Sequence, residues 1–100
     1  MTHTLKQQPF SLGNCYMTPG IMDLVKHFQL PTHAFIARHQ AGDWSEMSEE
    51  DAEENRLSIK KGRRVFSAFI YKPQPDIGIN IWIITEADRS STTVLLPEEY

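Results

Sequence analysis

The strongest hydrophobic pattern in the chain is a β-type alternation near its end, at residues 79–96. From residue 79 onward, apolar positions recur at every second residue, which is typical of a strand with one buried side. That side consists of Ile79, Ile81, Ile83 and Thr85. A polar tip at 86–91 precedes a second alternating run at 92–96, whose buried members are Val94 and Leu96. The pattern predicts two strands that fold back on each other.

The opposite side of the first of these strands is only partly polar. Trp82 and Ile84 lie there between Asn80 and Glu86. Because large apolar side chains in a cluster mark a surface that is normally covered, we expect something to pack over Trp82 and Ile84.

Two more strands are indicated upstream. Residues 64–71 are rich in β-branched and aromatic side chains and predict the first strand of a meander. Two prolines lie in residues 72–76, and since proline cannot donate a ladder hydrogen bond, this segment is predicted to be a loop. Residues 10–17 allow a fourth, short edge strand, although Gly13 and Asn14 interrupt it.

Two short helices are predicted in the first half of the chain. Thr18 followed by Pro19 indicates a helix start, with the threonine hydroxyl capping free N–H groups. The apolar face of this helix consists of Ile21, Leu24, Val25 and Phe28. Pro31 should end it, and Thr32 should cap a second helix that stops near Gly42. The face of the second helix carries Phe35, Ile36 and His39.

A third helix is predicted after Trp44, which we interpret as an aromatic anchor. Ser48 supplies a hydroxyl cap, and Gly62 is the expected stop. Five acids open this helix and bases close it, an order that complements the helix dipole. Its apolar face is thin, so it should lie on the surface and touch the core lightly.

Together these elements predict an α+β domain. We expect a three-stranded antiparallel meander, with a fourth short strand allowed at the N-terminal side, packed on one face by about three helices. One hundred residues suffice for one modest core, so residues 10–100 are interpreted as a single domain and residues 1–9, which are polar, as a flexible N-terminus.

Composition narrows the class of protein further. The formal net charge of −3 argues against a protein that coats nucleic acid. The longest apolar run, at residues 81–84, is far too short for a membrane span, and the N-terminus lacks the hydrophobic core of a signal peptide. A single cysteine cannot form an internal disulfide. These features predict a soluble cytoplasmic protein without membrane association.

The residue types that carry catalysis or bind metals are present but scattered. His33 and His39 are six residues apart and do not share a helix face, so a metal site would have to be assembled in three dimensions, for instance from His27, His39 and Cys15. We interpret His27, His33 and His39 instead as solvated or capping residues, and no metal or cofactor is predicted. Cys15 has no neighbouring base and is interpreted as a small buried thiol. A small enzyme that uses His39 with Asp43 or Glu86 stays as a third hypothesis.

One basic cluster stands out: Lys60, Lys61, Arg63 and Arg64. It is able to bind phosphate or an acidic partner, with Arg38 as a further contributor, and it defines the alternative function of nucleic-acid binding. In the simpler interpretation these bases complement the helix dipole and the five acids upstream. An exposed aromatic stacking face is the other requirement for RNA binding, but we assign the aromatic residues of the strands to a helix-covered core. These are Phe66, Phe69, Tyr71 and Trp82.

The polar tip at 86–91 is the other candidate site. Turns need polar residues, and Asp and Ser alone would suffice. Glu86, Asp88 and Arg89 therefore predict either a local ion-pair cluster or a recognition point, with Trp82 nearby.

Three blocks of the sequence carry a resemblance to a known family: ARHQAGDW at 37–44, SEED at 48–51 and WIITEADRSSTTVLLP at 82–97. Over residues 17–100 the chain resembles a family of small bacterial proteins carried on plasmids and integrative elements, usually labelled plasmid-related. The family offers no activity or functional residue to transfer. The resemblance implies a bacterial cytoplasm and the role of a mobile-element accessory protein.

These observations lead to one functional hypothesis and one alternative. The first is a non-enzymatic protein-interaction module that binds a host or element-encoded protein, for instance to counter a host defence system. Its binding residues would be Trp82, Glu86, Asp88 and Arg89, and a homodimer stays open. The alternative is a small nucleic-acid-binding protein that uses the basic cluster.

Overall fold

The computed structural model describes residues 10–100, so the flexible N-terminus predicted at 1–9 lies outside the described residues. The elements follow the order β1 (Asn14–Met17), α1 (Pro19–Phe28), α2 (Thr32–Gln40), α3 (Glu49–Lys61), β2 (Val65–Gln74), β3 (Ile77–Thr85), β4 (Ser91–Leu95) and a 3₁₀ turn (Pro97–Glu99). The predicted α+β class is confirmed. No helix in the described range combines the length and the hydropathy needed to cross a membrane.

The four strands form one mixed sheet in the order β1-β4-β3-β2. β2, β3 and β4 make the predicted antiparallel meander. The short N-terminal strand is confirmed as β1, and it pairs parallel to β4, with Asn14 opposite Ser91 and Met17 opposite Val94. The first and the last strand are therefore neighbours, which leaves β1 and β2 as the two edges.

The prediction of a loop at residues 72–76 was wrong. β2 continues through Pro73 to Gln74, and β3 begins at Ile77, so only residues 75 and 76 form the turn. β2 is an edge strand, where the missing N–H of Pro73 costs no ladder bond on its open side. The register shifts between Tyr71 and Gln74, which is where an irregular pairing accommodates the proline.

The helices cover one face of the sheet, called here the inner face. α1 and α2 pack on its middle, where the main core consists of Ile21, Leu30, Phe35, Phe69, Ile81, Ile83 and Val94. A second cluster beside α3 consists of Phe10, Trp44, Ala52 and Val65. Trp44 is buried in this second cluster, as expected of an aromatic anchor. The period-two pattern is confirmed for Ile81, Ile83 and Val94, which are all fully buried.

The start of α1 is capped from the other end of the chain. Thr18 is the N-cap residue, but its hydroxyl donates to Oε1 of Glu99 (2.5 Å) and caps no N–H group, contrary to the prediction. The Gly20 N–H donates to Oε2 of the same carboxylate (2.9 Å). A Cβ at Gly20 would come within 2.8 Å of that oxygen, so a larger residue there would force the Glu99 side chain to move.

The other helix ends agree in part with the sequence signals. α1 ends at Phe28, before the predicted stop at Pro31, because Gln29 adopts a left-handed conformation. Pro31 is the N-cap of α2, and Thr32, the predicted cap, is its first helical residue. Both predictions for α3 are confirmed, the cap at its start and the left-handed Gly62 after its end.

On the side of β2 that has no neighbouring strand, side chains form hydrogen bonds with its backbone. Asn55 on α3 donates to the Phe66 carbonyl (2.5 Å) and accepts from the Phe66 N–H (3.0 Å). Glu46 accepts from the Ile70 N–H (2.9 Å). α3 therefore reaches the sheet through hydrogen bonds as well as through Ala52, which fits its thin apolar face.

Candidate functional site

The face of the sheet opposite the helices, called here the outer face, is largely apolar. Strand register places on it Tyr16, Phe66, Ala68, Ile70, Trp82, Ile84, Thr93 and Leu95. Tyr16 and Ile70 are about half exposed, at 54% and 49%. The three described helices lie against the inner face. Within residues 10–100 no helix covers the side of β3 that carries Trp82, although Ile84 is buried there and Tyr100 packs on the Trp82 ring.

A groove on this face surrounds Trp82 and is called here the Trp82 groove. It has a volume of about 310 Å³ and is lined by Arg64, Phe66, Trp82, Ile84 and Tyr100. The Trp82 ring stands edge-on to Phe66 at 5.0 Å and to Tyr100 at 5.8 Å between ring centres. Tyr100 is the side chain that partly covers Trp82 and is itself 71% exposed. A groove of this size fits one or two side chains of a ligand.

The assignment of all four strand aromatics to a helix-covered core was wrong for two of them. Phe69 and Tyr71 pack in the main core, as predicted. Phe66 and Trp82 lie on the outer face. Strand alternation separates Phe66 from Phe69 and Tyr71, so the period-two rule, applied to β2, was the signal that divides them.

Arg64 borders the Trp82 groove with few partners. Its Nη1 donates to the Tyr100 hydroxyl (3.2 Å), and its guanidinium lies 5.7 Å from the centre of the Tyr100 ring. The nearest carboxylate oxygen, from Glu86, is 3.9 Å from Nε, which is a loose ion pair. Arg64 was predicted as a nucleic-acid residue and Glu86 as a protein-binding residue, and the fold brings the two together.

Arg38, in contrast to Arg64, is occupied by structural partners. Arg38 bonds Asp43 (2.6 Å) and Glu46 (2.9 Å) and lies 4.4 Å from the centre of the Phe69 ring. It therefore does not extend the basic cluster. A hydrogen bond from the Ser45 hydroxyl and, as the next largest cause, one from Arg38 lower the pKa of the Asp43 carboxyl below its ordinary value.

Within the basic cluster, Lys60, Lys61 and Arg63 are exposed and form no ion pair with any residue from 10 to 100. The acids at the start of α3 are met instead by Arg56, which bonds Glu49 and Glu53. The acids and the bases of the cluster thus lie at opposite ends of α3, as the helix-dipole interpretation predicts, and they form no ion pair with each other within residues 10–100. Of the four bases, Arg64 lines the Trp82 groove.

Arg89 holds the polar tip to the rest of the fold. Its guanidinium donates to the carbonyls of Arg63 (2.6 Å) and Ser58 (3.2 Å), at the end of α3, and to two carbonyls of its own turn, Glu86 and Ala87. Arg89 also adopts a left-handed backbone conformation, with φ of 61°. These bonds make Arg89 a structural tie, which the sequence does not reveal because its partners are backbone carbonyls.

The local ion-pair cluster considered for the tip does not form. Asp88 accepts from the Ser90 N–H (3.0 Å), and hydrogen bonding by Ser90 lowers the pKa of the Asp88 carboxyl. Glu86 turns to Arg64. The tip is thus built mainly as a turn, with Glu86 and Asp88 exposed.

His39 is fully buried against the inner face, so its interpretation as a solvated or capping residue was wrong. Its Nδ1 lies 2.6 Å from the Ser67 hydroxyl and its Nε2 lies 2.8 Å from the Thr85 hydroxyl. Ser67 also accepts from the indole N–H of Trp44 (3.0 Å). Both ring nitrogens are therefore engaged by hydroxyl groups inside the protein.

The proton positions follow from the end of this network. Thr92 donates its hydroxyl to the Leu12 carbonyl (2.7 Å), so it accepts from Thr85 at 2.7 Å. Thr85 in turn accepts the Nε2–H of His39, and Ser67 donates to Nδ1. This order needs a neutral imidazole, in agreement with the burial that lowers the pKa of His39 to about 4.

The three residues of the small-enzyme hypothesis do not contact one another. His39 contacts hydroxyls, while Asp43 bonds Arg38 and Glu86 pairs with Arg64. Cys15 is exposed, so its interpretation as a buried thiol was wrong. His27 and His33 are exposed as predicted. Residues 10–100 contain no group of three or more side chains placed to hold a metal ion.

The fold defines an α+β protein whose three described helices lie on one face of the sheet. No family model and no curated protein matches the sequence, and no solved structure matches the fold. The resemblance to the plasmid-borne family therefore stays a prediction.

Proposed function

We propose that the chain is a protein-interaction module and that its binding surface is the outer face of the sheet around Trp82. The observation that carries this proposal is the Trp82 groove itself, an apolar site on the face opposite the helices. Trp, Tyr and Arg are the side chains most enriched at the energetic centres of protein interfaces, and all three line this groove.

The proposed activity is binding without catalysis. The buried His39 is occupied at both ring nitrogens, which argues against its use as a general base. The resemblance to mobile-element proteins supports a bacterial setting and a host or element-encoded partner, for instance a component of a host defence system.

Photo-crosslinking in bacterial cells tests the proposal with a matched pair of positions. Ile70 lies on the outer face and Met22 on α1, and the two side chains are almost equally exposed, at 49% and 51%. Benzoylphenylalanine is placed at one position or the other. We expect a discrete protein adduct from position 70, its loss when Trp82→Ala is added, and no such adduct from position 22.

Crosslinking from position 22 alone, or an adduct at position 70 that survives Trp82→Ala, would contradict the proposed surface. Sedimentation analysis of the purified chain identifies a second copy as the occupant. In that case the adduct has the mass of two chains and the dimer dissociates in the Trp82→Ala variant.

Nucleic-acid binding is the second candidate, favoured by the exposed bases of the basic cluster, of which Arg64 lies beside the outer-face rings of Phe66 and Trp82. A gel-shift titration with single-stranded oligonucleotides decides it. Binding should weaken steeply with salt and in an Arg63→Ala/Arg64→Ala double variant. Absence of any shift at low salt excludes this candidate.

A further inference from the structure

We propose, building on the function above, that the Trp82 groove takes an acidic peptide segment. The segment presents one carboxylate to Arg64 and one large apolar side chain to Trp82. Phe66 and Ile84 form the floor under the apolar side chain.

The first support is the unused hydrogen-bonding capacity of Arg64. A guanidinium has five N–H donors. Arg38 and Arg56 each bond two carboxylates, and Arg89 bonds four carbonyls. Arg64 makes one hydrogen bond within residues 10–100, to Tyr100. The remaining donors suit a ligand carboxylate, which guanidinium binds through two parallel N–H bonds.

The loose contact between Arg64 and Glu86 is the second support. At 3.9 Å the pair attracts without a direct hydrogen bond, and both side chains are about half exposed, at 46% and 48%. An exposed pair of this kind contributes little to stability. A ligand carboxylate that bonds Arg64 directly can therefore replace Glu86 at small cost.

Charge around the groove gives the third support. Arg63 directly precedes Arg64 and is exposed, as Lys60 and Lys61 are, and none of these three bases forms an ion pair within residues 10–100. Further acids in the segment would lie along this cluster. Basic or neutral segments gain nothing from it, so the groove favours acidic partners.

The apolar side of the ligand follows from the groove's shape. Ile84 is only 4% exposed, and the rings of Phe66 and Tyr100 stand edge-on to Trp82. A volume of about 310 Å³ accepts one side chain such as Leu, Phe or Trp together with the adjoining carboxylate. The expected sequence is therefore a large apolar residue flanked by Asp or Glu.

Selection from a phage-displayed random peptide library tests the inference. The library is selected on the wild-type chain, and the enriched peptides are then measured against Arg64→Glu, Arg64→Gln and Trp82→Ala. The matched control is Lys26→Glu, which makes the same change of charge on the exposed surface of α1. Circular dichroism verifies that every variant is folded, and Arg64→Gln keeps a polar side chain in case charge reversal disturbs the fold.

We expect enriched peptides with Asp or Glu next to a large apolar residue. Their affinity should fall at least about tenfold with each Arg64 variant and with Trp82→Ala, and stay unchanged with Lys26→Glu. Enriched peptides that depend on Trp82 but lack acids, or that keep their affinity with both Arg64 variants, overturn the inference while the proposed surface stands. Peptides that bind independently of Trp82 overturn both.

Discussion

At the scale of single residues, the fold depends on His39 in its neutral form. The ring occupies a fully buried position and joins hydroxyls of two neighbouring strands, Ser67 on β2 and Thr85 on β3. A protonated ring would carry a buried charge and would point a second N–H at Ser67, whose own proton then loses its acceptor. Polar networks of this kind are stabilising only while every member is satisfied.

The first prediction is a pH dependence of stability due to His39. The pKa of His39 is about 4 in the fold, against an ordinary value of 6.5. The unfolded chain therefore binds more protons between these values, and stability is complete above pH 6.5, falls as the pH drops toward 4, and levels off below it. The loss from this group is on the order of 3 kcal/mol.

Urea unfolding at a series of pH values measures this slope. The variant His39→Gln, which cannot be protonated, should be less stable at pH 7 and should lose most of the slope between pH 6.5 and 4. A wild-type slope that persists unchanged in His39→Gln would assign the effect to other groups.

A second residue-scale prediction concerns Arg89, the tie between the tip and the end of α3. Arg89→Lys keeps the charge but cannot reach the carbonyls of Ser58 and Arg63 together with those of the turn. We expect a loss of about 1–3 kcal/mol in urea unfolding. Peptide or partner binding by the folded variant should be unchanged. Weaker binding at unchanged stability would make Arg89 a recognition residue after all.

At the scale of elements, the two edges of the sheet differ. On β2, Asn55 and Glu46 satisfy backbone groups of Phe66 and Ile70 that would otherwise face outward. All four residues of β1 are exposed. Covering an edge is a common way for proteins to prevent strand-to-strand association, and here Asn55 of α3 and Glu46, which precedes α3, perform this role for β2.

Asn55 provides the prediction at this scale. Asn55→Ala removes both hydrogen bonds to Phe66 and should cost about 2 kcal/mol, because the buried backbone groups are left without partners. The opened edge should also make association depend on concentration in sedimentation runs. Asn80→Ala, at an exposed position of β3, is the control and should change neither quantity. An Asn55→Ala variant as stable as the wild type would show that water replaces the lost bonds.

Sequence predicts an element when the residues that determine it are its neighbours in the chain, and fails when they are distant. The alternation of β3 and the termini of α3 at Ser48 and Gly62 depend on neighbouring residues, and they were predicted. The strand through Pro73 was missed because its tolerance depends on β2 being an edge. The cap of α1 was missed because Glu99 lies about eighty positions away in the chain.

The same difference between local and distant residues explains which parts of the candidate site were predicted. The partly apolar side of β3 indicated in advance that Trp82 and Ile84 need a cover. Arg64 joins them only because β2 and β3 pair in one register, with Phe66 opposite Ile84. The roles of Arg64 and Arg89 are set by tertiary contacts, so sequence order alone gives no means of telling the available arginine from the structural one.

At the scale of the whole molecule, the two faces of the sheet have different roles. The inner face holds the helices, the core and the His39 network, which together account for stability. The outer face carries the Trp82 groove and contributes less to the core. Substitutions at Trp82 and Ile70 are therefore expected to affect binding more than stability, in contrast to those at His39 and Asn55.

The most direct test of this division is amide chemical-shift mapping of the ¹⁵N-labelled chain, titrated with the crosslinked partner or with a selected peptide. We predict that the largest shifts fall on the outer face, at Phe66, Trp82 and Tyr100 and at Arg64 beside them, with α1 and α2 unchanged. Shifts that cluster on α1 and α2, or on residues 87–91 of the tip, would contradict the account.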